Sequence, residues 1–206
     1  MSDEQRLEFF LTAQCKNLSH EQLKQTVVGL LKESRIPHVL GCAEAARELA
    51  HIWGADPDDA WRAGILHDVT KALDGQAQRQ LCQCYGLQVD PFHWENPKLL
   101  HQFTGAEVAS RVFGENLAVC LAIRTHTTGS VGMNTLQKIL YVADYTEPNR
   151  DFEGVETLRN LAKTDLDGAL CMGLEMTVSL LRKRGNPVCT ESLAVLKELK
   201  KESIEC

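Results

Sequence analysis

Residues 65–69 read Ile-Leu-His-Asp-Val, so a histidine and an aspartate sit side by side where an apolar helix should be entering the core. A carboxylate taken out of water without a partner is strongly unfavourable, so any fold formed here must bring a counter-charge to Asp68. The rest of the chain carries side chains able to meet it: His38 upstream, His101 and His126 downstream, and Asp144 beside the apolar stretch Ile139-Leu140-Tyr141-Val142-Ala143. A divalent metal is the most economical counter-ion for such a set, and H…HD…H…H…D is the order of a metal site. Taken singly, each residue has a simpler explanation. A lone histidine on an amphipathic helix is ordinarily a surface or hydrogen-bonded residue, and His20, His51 and His93 are read that way. Asp144 alone could be a buried carboxylate held by an arginine. Six separately buried polar residues would each need a partner of their own, which weighs toward one shared site.

Helical periodicity dominates the chain, and no run alternates as a strand would. Ser19 with Gln22 forms a capping-box signature for a helix running to about Ser34. Pro37 suits the first turn of a helix ending at Trp53 before Gly54, and Asp56-Pro57 opens another through Trp61 to His67. Further helices are expected over residues 75–85, 97–112, 115–126, 133–146, 153–162, 164–184 and 190–203. Loops are expected at 86–96, 114, 129–132, 148–150 and 185–187, where Gly, Pro and Asn cluster. At 206 residues with 44% hydrophobic content, this predicts a single all-α helical bundle. Residues 1–18 read as an N-terminal extension, a short helix or partly ordered tail, and 19–206 as the main domain.

A net charge of −6 argues against a nucleic-acid binder, which would present a basic face. No run approaches the apolar length of a membrane span, and the mixed, acidic start Met1-Ser2-Asp3-Glu4-Gln5-Arg6 is unlike a signal peptide. The eight cysteines are scattered singly except for Cys82-Gln83-Cys84, which has no second pair to complete a tetrahedral site. Reduced thiols in a cytoplasmic protein are expected.

Histidine and carboxylate ligands without cysteine suit iron, manganese, cobalt or zinc. Adjacent helical residues point about 100° apart, so His67 and Asp68 converge only if they lie at a helix end, where Asp68 could also bridge two ions. His38 and Asp144 would complete a site with positions left for water and substrate. Arg35, Lys71, Arg124 and Arg150 stand within six residues of these ligands, suitably placed for charge-assisted bonds to phosphate. Thr125-His126-Thr127-Thr128-Gly129 adds hydroxyls and a glycine that would let backbone approach a phosphate. The chemistry indicated is hydrolysis at phosphorus.

On Arg35-Ile36-Pro37-His38, His67-Asp68-Val69-Thr70-Lys71, His101, Thr125-His126-Thr127-Thr128-Gly129 and Asp144-Tyr145-Thr146-Glu147-Pro148-Asn149-Arg150, the chain resembles the HD-domain metal-dependent phosphohydrolases. The last two segments are similar to the YqeK-type branch of symmetrical dinucleoside tetraphosphatases. The resemblance covers about residues 20 to 195. It implies an all-helical cytoplasmic enzyme that cleaves diadenosine tetraphosphate into two ADP, by attack of metal-bound water on a phosphoryl group. It implies a metal, preferably iron, on His38, His67, Asp68 and Asp144. Asp68, Lys71 and His126 would be catalytic. Substrate contacts would fall to Arg35, His38, Asp68, Val69, Thr70, Lys71, His101, His126, Thr127, Asp144, Arg150 and Thr190. His101 and His126 are read first as phosphate contacts or general acids, and second as ligands of a second ion. The asparagine usual in the family after the C-terminal threonine is not evident in Ala194-Val195-Leu196-Lys197. The alternatives are another HD-type enzyme, such as a nucleoside monophosphatase or cyclic-nucleotide phosphodiesterase, or a non-catalytic nucleotide sensor. The expected partner is a small nucleotide, with no nucleic acid or membrane, and a helical domain of this size is compatible with a homodimer.

Overall fold

Side-chain caps open most of the helices in the computed structural model, which describes residues 1–202. Ser2, Ser19, Asp56, Asp74, Asp90, Asn116, Asn134 and Asp165 each accept backbone N–H groups of the first turn. The helices so started are α1 (Asp3–Thr12), α2 (His20–Leu30), α4 (Pro57–Leu66), α5 (Gly75–Tyr85), α6 (Pro91–Glu95), α8 (Leu117–Thr125), α9 (Thr135–Thr146) and α11 (Leu166–Lys183). The others are α3 (Ile36–Trp53), α7 (His101–Arg111), α10 (Val155–Ala162) and α12 (Thr190–Glu202). Single 3-10 turns at Glu33–Arg35 and Pro97–Leu99 lead into α3 and α7, and no strand forms among the described residues. The all-α expectation holds.

Three local expectations are corrected. The second helix stops at Leu30 rather than near Ser34, because Leu31 is extended and a 3-10 turn then sets the chain for α3. Residues 86–96 are not all loop: Asp90-Pro91 opens α6 by the same cap-and-proline device as Asp56-Pro57. The helix expected over 97–112 is split at Leu100, so that His101 starts α7 rather than lying within a longer helix. Residue 203, where the last helix was expected to end, lies outside the described residues.

The bundle centres on α3, which packs most extensively against α4 and α9, while α8 packs on both α4 and α9 and carries α7 against it. Gly64 permits the tight α3–α4 crossing, since a Cβ there would stand 2.6 Å from the Ala43 Cα. Helix α1 joins the same core through Leu7 and Phe10, and Arg6 Nε donates to the Leu30 carbonyl at 2.7 Å, satisfying a group left open at the end of α2. No helix among the described residues is long and apolar enough to cross a membrane. All seven described cysteines are free thiols, as expected, and Cys206 lies outside the described residues.

Candidate metal centre

The chain leaves α4 at Leu66 and enters a series of tight turns, with Val69 N–H on the Leu66 carbonyl and Lys71 N–H on that of Asp68. His67 and Asp68 therefore sit at a helix end, the one place where neighbours can converge. Both are fully buried, at 0% and 1% exposure. His38 comes from the first turn of α3, Asp144 from the last turn of α9, His101 from the start of α7 and His126 from the cap of α8.

Every histidine of this set is oriented by its Nδ1. His67 donates to the Gly64 carbonyl at 2.6 Å, His101 to Lys98 at 2.7 Å and His126 to Ile123 at 2.6 Å, each acceptor three residues earlier. His38 donates to Glu147 Oε1 at 3.1 Å. With Nδ1 committed, each ring turns Nε2 inward. His38 Nε2 and His67 Nε2 face each other at 3.2 Å, and His38 Nε2 is 3.2 Å from Asp144 Oδ1. His101 Nε2 and His126 Nε2 are 3.0 Å apart.

Asp68 stands between the two pairs. Its Oδ2 lies 3.7 and 3.5 Å from Nε2 of His38 and His67, and its Oδ1 lies 3.3 and 3.7 Å from Nε2 of His101 and His126. His38, His67 and Asp144 thus form one group whose donor atoms lie within 4.8 Å of one another, and Asp68, His101 and His126 form a second. Asp68 Oδ1 is buried and accepts no hydrogen bond. Opposed imidazole nitrogens and an unbonded carboxylate oxygen are what a divalent cation would satisfy, so the residues fit a metal.

The electrostatics agree. Burial works against charge on Asp68, but His67, Lys71 and His126 hold it well below the usual carboxylate range. Burial likewise opposes charge on Asp144, and the His38 hydrogen bond, with His67 and Arg150, holds it well below that range too. Burial and Lys71 push His101 well below its ordinary value, and burial lowers His126, so both present bare nitrogens at neutral pH. Burial opposes a proton on His67, yet the adjoining Asp68 carboxylate raises it, so positive charge is favoured where the first group converges.

The cations expected near phosphate are placed unequally. Lys71 Nζ is 2.8 Å from His101 Nε2 and 3.5 Å from Asp68 Oδ1. Arg35 grips Asp68 Oδ2 through Nε and Nη2 at 2.8 and 2.5 Å, and Arg150 Nη2 reaches Asp144 Oδ1 at 2.5 Å. Thr127 Oγ1 lies 3.2 and 3.1 Å from Nε2 of His101 and His126. Val69 instead faces the core, and the buried Thr70 hydroxyl bonds Thr104 and the His101 carbonyl. Arg124 lies over the Phe103 ring, and Thr190 lines that same neighbouring cavity rather than the cluster.

Glu147 had no role from sequence beyond its place in the last motif. It is buried at 1% exposure, orients His38, and accepts from Asn149 N at 2.7 Å. A Cβ at residue 41 would stand 2.5 Å from its Oε2, so Gly41 is what lets it approach α3. The signals were Gly41 three residues after His38 and Glu147 three after Asp144. Since such partners typically tune metal affinity about 10- to 100-fold, Glu147→Ala should weaken metal binding by about that factor, and Glu147→Gln, which can still accept from Nδ1, by less. Competition against a chromophoric chelator measures both, and equal affinity in wild type and alanine variant would refute the orienting role.

The HD domain family model matches residues 35–149, which span both groups of histidines and carboxylates described above. A protein of Halalkalibacterium halodurans named "Bis(5'-nucleosyl)-tetraphosphatase, symmetrical" is 40% identical, over 85% of this chain and 94% of its own length. A Bacillus subtilis protein of the same name is 38% identical, over 83% and 92%. A crystal structure from Clostridium acetobutylicum, described as that of a "predicted HD superfamily hydrolase involved in NAD metabolism", superposes with a TM-score of 0.86 at 33% identity, covering 90% of this chain and 98% of that one. The chain belongs to the HD domain family, and within it to the group that these relatives represent.

Proposed function

We propose that this chain hydrolyses diadenosine tetraphosphate symmetrically to two ADP at the centre built around Asp68. The observation that carries this reading is the convergence of four inward-facing imidazoles on one buried carboxylate, with Lys71 beside it, in a chain so similar to proteins named for that activity. His38, His67, Asp144 and Asp68 would hold a divalent ion, preferably iron. Such an ion supplies a water ionised at neutral pH and polarises a phosphoryl oxygen. Asp68, with one oxygen toward each group, is suited to a second ion held with His101 and His126.

The protein's own part is positioning and charge, which is most of what phosphoryl transfer requires. Lys71 offers its ammonium to a phosphoryl oxygen at the centre. The bare Nε2 atoms of His101 and His126 accept rather than donate, which suits them to take a proton from attacking water or to bind the second ion. This modifies the general-acid role that the resemblance implies for His126. Thr127 Oγ1, in reach of both rings, can donate to a phosphate oxygen. Arg35 and Arg150 steady the two carboxylates and leave their remaining donors for the polyphosphate chain. Symmetric cleavage requires the centre to engage the phosphorus second from one nucleoside.

The test is anaerobic purification, elemental analysis for the ratio of metal to chain, and chromatography of the products from diadenosine tetraphosphate. ADP as sole product supports the reading. ATP with AMP refutes the symmetric cut, and nucleoside with phosphate from a monophosphate substrate points to the monophosphatase alternative. Metal bound without turnover, even with iron, manganese or cobalt supplied, favours the sensor.

A further inference from the structure

A second cluster of reactive side chains forms where the segment before α12 meets α6 and α7. Cys189 is buried, with Sγ 3.9 Å from His93 Nε2, and His93 Nδ1 lies 2.6 Å from Asp90 Oδ2. Asp90 caps α6 and also accepts the backbone N–H of His93 at 3.2 Å, so the carboxylate is fixed against the ring it orients. Phe92 and Phe103 meet that ring edge-on, at centroid distances of 5.6 and 4.8 Å. With Nδ1 donating to a carboxylate, Nε2 carries the lone pair that faces the thiol. A base near a nucleophile, itself oriented by a third group, is the arrangement that activates thiols.

Two further features set positive electrostatic potential beside the sulfur. The Cys189 carbonyl accepts the Leu193 N–H at 3.4 Å, so Cys189 occupies the N-terminal cap of α12, where a helix stabilises negative charge. Arg124 lines the same cavity of about 240 Å³, stacked on Phe103 at 4.6 Å and without an ion-pair partner among the described residues. Burial dominates the surroundings of several other described thiols. Burial pushes Cys82 and Cys120 up to about 11, and it also raises Cys42, all of which favour inert neutral thiols.

We propose that Cys189 is an activated thiol and a site of oxidation by small hydroperoxides, with His93 as its base and Asp90 as the residue that positions His93. His93 Nε2 takes the thiol proton, and the sulfur attacks the distal peroxide oxygen. The O–O bond breaks, and the departing oxygen recovers the proton from His93, leaving Cys189 as a sulfenic acid and releasing water or an alcohol. Sulfur loses two electrons and the peroxide gains them. The cavity wall includes Thr125 and Thr128, which flank His126 and Thr127, and Ser192 Oγ donates to the Thr128 carbonyl at 2.8 Å. The added oxygen is thus set against the loop that presents two residues of the metal centre.

The test uses the full-length protein loaded with zinc, so that no redox-active ion consumes the oxidant. It is treated with hydrogen peroxide, sulfenic acid is trapped with a cyclic 1,3-diketone, and each cysteine is read by peptide mass spectrometry. With a base positioned on its sulfur, Cys189 should be trapped about tenfold or more faster than the exposed Cys84. His93→Gln should remove that advantage while leaving the Cys84 rate and circular dichroism unchanged. Asp90→Asn, which keeps the helix cap and removes the charge, should give a smaller loss and serves alone if His93→Gln misfolds. Trapping of Cys189 no faster than Cys84 overturns the proposal, as does a rate indifferent to both variants.

Discussion

Asp68→Asn is expected to lower turnover by about 10³-fold or more while leaving the helices intact. Lewis-acid stabilisation is worth several kcal/mol, and about 1.4 kcal/mol corresponds to a tenfold change in rate. Among the described residues, Asp68 is the one whose two oxygens face both imidazole pairs. The amide keeps the side-chain volume but turns one anionic oxygen into a donor, aimed at nitrogens that are bare or at Arg35 and Lys71. Both the metal and the lysine lose their anchor. Steady-state kinetics with the metal content of each preparation, beside far-ultraviolet circular dichroism, decide the matter. A folded asparagine variant with full activity would place the chemistry elsewhere in the molecule.

Adding the divalent ion to metal-free protein should raise the melting temperature by roughly 5–10 °C. Binding to the folded state alone at a hundred times the dissociation constant contributes about 2.7 kcal/mol, and a chain of this size melts roughly 2–4 °C higher per kcal/mol. The stabilisation arises because the ion satisfies Asp68 Oδ1 and the opposed Nε2 atoms, groups scattered in the unfolded chain. Asp144→Ala removes a ligand of the first group and frees Arg150, and should abolish most of the shift while the variant still melts cooperatively. Calorimetry with and without chelator gives both values. An equal shift in wild type and Asp144→Ala would assign the ion to another site.

The centre could be suspected from one line of sequence because its ligands are chemically conspicuous. Asp68 and Asp144 lie in apolar surroundings that tolerate a carboxylate only when something compensates it, and histidines recur at the right points along the chain. Glu147 escaped because a glutamate after a helix is ordinary in sequence. Its importance depends on Gly41, which belongs to a different helix and leaves room for it. Cys189, His93 and Asp90 escaped for the same reason: His93 read as an unremarkable histidine, and 96 residues separate it from its sulfur partner.

What is local was legible in the chain: the caps that start helices, the glycine that ends α3, the apolar faces, and the need of Asp68 for a counter-charge. These follow from interactions among near neighbours, where residue type and spacing are sufficient. Which histidines face one another, which nitrogen each ring turns inward, and which cations grip carboxylates rather than standing free were decided by tertiary structure alone. Those outcomes depend on where α3, α4, α7, α8 and α9 cross, and small differences in packing move the donor atoms by the ångström or so that separates a ligand from a bystander.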